Sequence, residues 1–393
     1  MTSYRRAWAE IDLDALAHNV TLLRRIVAPS ALCAVVKADA YGHGALAVAQ
    51  RALQAGASYL AVALVEEGVA LREGGVEAPV LLLSEPPAAG WEAAAAHRLT
   101  PTLYTREGLE QAELAAKSTG RVLGVHLKLD TGMHRVGLAA SELLHLASEV
   151  AASPALVLEG LWTHFSVADE PGDPFTAAQL ARLFAGRDEL AAAGIVPGLL
   201  HAANSAGALA HPESRLDLVR CGIALYGVVP SASVAPFLGA GAALRPVLSL
   251  RAEVHLVREL SAGERPSYGR RYELARDSFV ATVPLGYADG VPRAYFSSGG
   301  EVLIGGRRRR LAGNVTMDQL VVDLGGDSSV RAGDEVVLIG AQGEAEITAE
   351  EWAQRLGTIA YEVLLGLGPR VPRRTLGCAP GGAASEAPHS KRG

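Results

Sequence analysis

The sequence predicts an α/β protein, an N-terminal (β/α)8 barrel followed by a mostly β domain, on three observations. Between about residues 30 and 230, short and nearly continuous apolar runs alternate with Ala/Leu-rich helical patterns. Eight such runs fit into that span. Beyond about residue 240 the texture changes to strand-like segments separated by Gly- and Asp-rich turns. The boundaries expected from this are 10–238 for the barrel and 239–376 for the second domain. Residues 1–9 are expected to join the second domain as a strand, and 377–393 to form a disordered tail. A chain of 393 residues, 49% hydrophobic and 20% charged, is long enough for two cored domains.

The elements follow in order. "AWAEIDL" alternates like a strand. The eight apolar runs are "LCAVVK" (32–37), "YLAVAL" (59–64), "PVLLLS" (79–84), "LTPTLY" (99–104), "VLGVHLKLD" (122–130), "LVLEGLWTHFS" (156–166), "LLHAANS" (199–205) and "LVRCGIALYG" (218–227). Strands apolar on both faces belong in a parallel sheet covered on both sides. Eight of them, with helices such as "ALAVAQRALQAGA" and "TAAQLARLFAGRDELAAAG" between, point to a closed barrel. An open doubly wound sheet usually needs fewer. "VLSLRAEVHLVREL", "SFVATVPL", "EVLIGG", "QLVVDL" and "EVVLIG" read as the strands of the second domain. Its helix "TAEEWAQRLG" has Thr348 and Glu351 in capping-box spacing. The run Arg307 to Arg310, after Gly305-Gly306, reads as a solvated hairpin turn. The tail "GCAPGGAASEAPHSKRG" has no periodicity.

Composition also excludes. A net charge of −6 argues against nucleic acid and acidic membrane surfaces as partners. No apolar run is long enough to span a bilayer. The opening "MTSYRRAWAEID" carries charge without an apolar core, so no secretion signal is expected. Three cysteines without metal spacing suit a reducing cytoplasm, with free thiols and no metal site.

In a (β/α)8 barrel the site lies at the C-terminal ends of the strands. Those ends carry Lys37 and Tyr41 (strand 1), Lys128, Asp130 and Arg135 (strand 5) and His164 (strand 6). Strand 7 adds Asn204 and Ser205, and strand 8 adds Arg220 with the Gly222-Ile223 backbone. A strand-end lysine commonly just reaches water, and a lone histidine there is commonly structural. The set is the signal. Ser205 in "NSAGALA" stands where a helix would start, with a hydroxyl and free amides. Gly222 allows close backbone approach, and Tyr41 adds a hydroxyl. These three make a candidate phosphate site. A lysine and a phosphate site on one barrel rim suggest pyridoxal phosphate (PLP) held as a Schiff base. Arg220 has donors only, so a pyridine nitrogen facing it must accept and stays unprotonated, which weakens the electron sink. That suits removal and return of a proton. Gly42-x-Gly44-x-x-Ala47 with Glu66 downstream is a weak dinucleotide fingerprint. It leaves Lys37 and Arg220 unexplained.

With these residues in place the chain resembles the alanine racemases. The motifs are "VVKADAYGHG", "KLDTGMHRVG", "THFS", "HAANSAG", "VRCGIALYG", "SYGRRY", "LGYADG", "NVTMDQ" and "RVPRR", spread over nearly the whole chain. The resemblance implies a PLP-dependent racemase interconverting L- and D-alanine, supplying D-alanine for peptidoglycan from a head-to-tail homodimer in the cytoplasm. It implies Lys37 as PLP-binding lysine and one base, and Tyr268 as the second. It places Tyr41, Ser205, Gly222, Ile223 and Tyr361 at the phosphate, Arg220 at the pyridine nitrogen, and His164 between Arg220 and the tyrosine. It puts Arg135 and Met317 at the substrate carboxylate, with Met317 and Tyr268 from the other subunit. Lys128 matches a lysine carbamylated in some members that steadies Arg135, and Tyr287 lies at the mouth of the site. Asp39, Thr316 and "LLGLGP" depart from the commonest pattern. A barrel-type PLP decarboxylase would carry an acidic residue where Arg220 stands, and a PLP-binding regulatory barrel would lack the second domain. A racemase of broader scope, acting on serine or other small amino acids, stays open.

Overall fold

The computed structural model of the chain describes residues 4–377, so the expected tail lies outside the described residues except for Gly377. Strand β1 (Ala7–Asp12) comes first. The barrel strands follow: β2 (Ala31–Val35), β3 (Tyr59–Val62), β4 (Val80–Leu82), β5 (Thr102–Leu103), β6 (Leu123–Lys128), β7 (Leu156–Trp162), β8 (Leu199–His201) and β9 (Leu218–Cys221). They pair in parallel as β4-β3-β2-β9 and β5-β6-β7-β8. Two narrower seams close the cylinder. Thr100 pairs with Leu81 beside β4, and Asp217 N and Arg220 N donate to Leu200 O and Ala203 O. Helices cover the outside. The first, Leu13–Val27, starts on Asp12, whose carboxylate accepts from Asp14 N and Ala15 N at 2.9 Å. It buries Leu16, Val20, Leu23 and Val27, one apolar stripe at helical spacing.

The second domain holds β10 (Leu248–Glu253), β11 (Leu256–Leu260), β12 (Ser278–Val283), β13 (Glu301–Ile304), β14 (Arg307–Arg310), β15 (Leu320–Gly325), β16 (Glu335–Gln342), β17 (Ala345–Ile347) and β18 (Arg373–Leu376). One sheet runs β14-β13-β16-β10-β1-β18 with β17 on β16, and a second runs β11-β12-β15. β1 pairs antiparallel with β10 and parallel with β18 before entering the first barrel helix. The helix Ala349–Leu356 is capped by Thr348, whose hydroxyl accepts from Glu351 N at 3.1 Å. Its Trp352 is fully buried and donates to Leu338 O. Among the described residues no helix is long and apolar enough to cross a membrane, and no cluster could hold a metal ion.

Several strands are shorter than their apolar runs. "LVRCGIALYG" stops being a strand at Cys221. Gly222 turns the backbone (φ −113°, ψ −93°) into the 3-10 turn Ile223–Tyr226. The four arginines need correcting more thoroughly. They are strand β14, and only Gly305-Gly306 forms the turn, both with positive φ (61° and 70°) as a two-residue hairpin requires. Arg308 pairs with Glu301 and with Glu351 at 2.7 Å, and Arg309 pairs with Asp327.

Candidate active site

β2 ends at Val35, and Lys37 opens a turn that alternation could not forecast. Ala38, Asp39, Ala40 and Tyr41 all have φ between 51° and 56°, so the chain makes a left-handed turn without glycine until Gly42. Each such residue costs roughly 1–2 kcal/mol, so the surroundings must hold the turn. They do so at several points. Ala38 N donates to Glu67 Oε1 at 2.5 Å, and Ala45 N donates to Asp39 Oδ1 at 2.7 Å. Arg373 Nε donates to Gly42 O, and Tyr226 Oη donates to Val35 O, both near 3 Å. Tyr41 is buried between the rings of Tyr226 (4.8 Å) and Tyr361 (6.0 Å). Gly42 and Gly44 belong to this turn rather than to a strand-to-helix phosphate loop, which removes the dinucleotide alternative. The Lys37 ammonium is disfavoured by burial and then by Arg135, while Glu67 opposes them.

Tyr41 leads to the phosphate candidates. A Cβ added at Gly222 would lie 2.4 Å from Tyr41 Oη, so the hydroxyl rests on bare backbone. Ser205 begins the helix Ser205–Ala210, but its cap is Asn204, which accepts from Gly207 N. Ser205 Oγ instead accepts from Gly222 N at 2.9 Å and Ala224 N at 3.4 Å. Its own proton is therefore left for a ligand. Two hydroxyls converge beside the bare backbone of Gly222, a pair of donors suited to an oxyanion. These residues fit the phosphate of PLP.

Arg220 lies across the barrel interior, 3% exposed. Its Nη2 donates to Thr163 O (2.8 Å) and Ala202 O (2.9 Å), with His164 Nδ1 at 3.4 Å. Its Nη1 donates to His201 Nδ1 at 2.7 Å. An arginine only donates, so His201 carries its proton on Nε2 and passes it toward His126 Nδ1, 2.9 Å away. By the same logic His164 carries its proton on Nε2. Burial and then Arg220 hold all three imidazoles far below the usual histidine range, so they are neutral. Burial also lowers Arg220 itself, to about 10, still charged at neutral pH. Trp162 supports this wall. His201 stacks on its ring at 5.6 Å, and Arg220 and Lys128 each approach its face within 4.5 Å.

Lys128 ends β6, buried beside Arg220 and Arg135. Burial, then those two cations, push its amine down to about 7. Beyond it Asp130 organises a closed loop. Its Oδ1 accepts from Gly132 N and His134 N, and Leu138 N returns to Lys128 O at 2.8 Å. The return brings Arg135 back to the rim, within electrostatic reach of Lys37 and Lys128.

The rim therefore gathers Lys37, Tyr41, Lys128, Arg135, His164, Ser205, Arg220, Gly222 and Ile223, with Tyr361 against Tyr41. Tyr268, Tyr287 and Met317 are not brought to it. They form a second cluster on the β domain, 73%, 44% and 53% exposed. Tyr287 N and Ala288 N donate to Thr316 O and Met317 O, and Asn314 Nδ2 donates to Tyr268 O. One chain thus presents a buried rim and, apart from it, an exposed tyrosine-methionine patch.

Residues 11–230 match the family model for the alanine racemase N-terminal domain, and 247–375 match the model for its C-terminal domain. The chain belongs to the alanine racemase family. The alanine racemase of Symbiobacterium thermophilum is 47% identical over 369 residues, 94% of this chain and 97% of that protein. That of Frankia casuarinae is 43% identical, over 94% and 96%. The crystal structure of alanine racemase from a D-cycloserine-producing Streptomyces lavendulae superposes with TM-score 0.89 at 41% identity, covering 96% of this chain and 98% of that one. A histidine racemase from Leuconostoc mesenteroides subsp. sake superposes at 0.87 with 29% identity, over 96% and 99%. The alanine racemase fold thus carries more than one substrate name. Sequence reasoning missed His201, His126, Trp162, Tyr226 and Glu67. His201 stood in the quoted "LLHAANS", and Glu67 sits three residues after the helix cap Leu64, a visible capping position.

Proposed function

We propose that this chain interconverts L- and D-alanine with Lys37 and Tyr268 as bases on opposite faces of Cα, in a homodimer whose partner supplies Tyr268 and Met317, and so provides D-alanine for peptidoglycan in the cytoplasm. The observation that carries this is the division of one chain into a buried rim that can hold a cofactor and a separate exposed patch that bears a phenol. When bound, PLP supplies the electron sink that makes the Cα proton of the amino acid acidic. Tyr41, Ser205, the Gly222 and Ile223 backbone and Tyr361 would hold its phosphate, Lys37 would attach it, and Arg220 would face its ring nitrogen.

The chain's own residues then move the proton. Burial, then Arg135, disfavours the charged form of the Lys37 amine and so raises the share of free amine able to take a proton. A phenol titrates near 10 and needs its anion stabilised. His164, with its proton on Nε2 and Arg220 behind it, is the donor that could do so. Arg135 pairs with the substrate carboxylate beside Met317, with Lys128 behind Arg135 and Tyr287 at the mouth. Each positioned base is worth ~10²–10⁴-fold in rate.

Lys37→Ala and Tyr268→Phe test this together. Refolded as an equal mixture, half of the dimers are mixed, and each mixed dimer has one intact site of two. About a quarter of wild-type racemisation should return. A mixture no more active than its components sinks the shared site. A wild type that, given PLP, leaves alanine enantiomers unexchanged sinks the activity, and a panel of other amino acids in the same assay sets the substrate range.

A further inference from the structure

The first amide of the left-handed turn needs an acceptor from elsewhere in the fold, and Glu67 provides it. We propose that Glu67 is a positioning residue for Lys37, its carboxylate tying the turn that begins at Lys37 to the end of the neighbouring strand. The inference rests on the role of Lys37 given above.

Glu67 Oε1 accepts from Ala38 N at 2.5 Å, the residue after Lys37. Glu67 Oε2 accepts from Ala63 N at 2.8 Å and Leu64 N at 3.1 Å. Ala38 follows β2, and Ala63 and Leu64 follow β3. These strands are paired in parallel up to Val35 and Ala61. One carboxylate therefore stitches two strand ends where the ladder stops. Only a carboxylate accepts on both oxygens. A glutamine keeps one acceptor and turns an NH2 toward the other set of amides, so it must release one side.

Charge adds a second consequence. The groups facing the Lys37 amine are Glu67, Arg135 from the Asp130 loop, Lys128 at the end of β6 and His164 beyond β7. Glu67 is the negative one among these four. It favours the ammonium against burial and against Arg135.

The test uses apoprotein of wild type, Glu67→Gln and Glu67→Asp. PLP is added, and the visible absorption of Lys37-bound cofactor is followed against pH, alongside kcat and KM for alanine. Glu67→Gln should lower kcat on the order of 10²-fold with KM within a few-fold, the cost of misplacing a reacting group by about 1 Å. Its capture midpoint should move to lower pH, because the remaining cations oppose the ammonium. Glu67→Asp keeps the charge but is too short to span both sides, so kcat should fall while the midpoint stays. A merely structural Glu67 would lower the melting temperature of both variants and leave midpoint and kcat in place. Wild-type kcat and capture profile in Glu67→Gln overturns the proposal. If that variant does not fold, a wild-type kcat in Glu67→Asp does so. Absence of racemisation in the wild type would refute the role of Lys37 instead, and the capture profile would still report on Glu67.

Discussion

Gly222→Ala places one methyl group in the proposed phosphate cradle and nothing else. The new Cβ would stand 2.4 Å from Tyr41 Oη and 3.1 Å from its Cζ, so the ring must withdraw roughly 1 Å to reach ordinary contact. It has little room. Tyr226 lies 4.8 Å from the Tyr41 ring and Tyr361 6.0 Å, and the backbone is fixed at φ 56° within the left-handed turn. Overpacking of this kind costs ~1–3 kcal/mol, which weakens PLP binding by about 5- to 150-fold. The assay is titration of the apoprotein with PLP, with a melting curve to show that the fold is kept. Tyr41→Phe removes the atom at 2.4 Å. The double variant should therefore bind PLP better than the two single losses predict. Additivity within ~0.5 kcal/mol, or a Gly222→Ala affinity within twofold of wild type, would refute the geometry of the cradle.

Two further outcomes follow from the rim. Tyr268→Phe should keep PLP and lose racemisation by ~10²–10⁴-fold. In deuterated water it should still exchange the Cα hydrogen of one enantiomer, and equal exchange of both would deny Tyr268 its face. Lys128 titrates near 10.5 when unfolded and about 7 when folded, so the unfolded chain binds the extra proton between those values and stability rises with pH across the window. Lys128→Met, in buffer purged of carbon dioxide, should melt higher than wild type at pH 7, by a stability gain of a few kcal/mol, and lose that advantage as pH nears 10.5. A constant difference would place the effect elsewhere.

The barrel was legible because parallel strands buried on both faces leave long apolar runs, and the rim was legible because polar residues end those runs. Lys37, Lys128, Arg220 and Ser205 stand out against valines and leucines in one dimension as they do in three. Boundaries were less legible. "LVRCGIALYG" stays apolar past Cys221 because its second half packs inside the protein as a 3-10 turn, and burial does not distinguish the two conformations. Arg307 to Arg310 misled for the opposite reason. Exposed charge suggested a turn, yet Glu301 on the neighbouring hairpin strand and Asp327 and Glu351 from further along the chain neutralise an edge strand.

What no periodicity could reveal is the sign of φ after Lys37. Four left-handed residues without glycine contradict local preference, and they persist because Glu67, Arg373 and three tyrosines over-determine them. Here the departure at Asp39 acquires a physical account. Asp and Asn are the side chains that best tolerate the left-handed region, and this one accepts from Ala45 N to start the next helix. An aspartate does that as well as an asparagine, and its charge also favours the Arg373 guanidinium against burial. Arg373 reaches Gly42 from β18, the strand that pairs with β1. The turn carrying Lys37 is therefore fastened to the β domain, the same domain that bears Tyr268. The geometry of that turn depends on this packing, so a substitution that loosens β18 should disturb the placement of Lys37.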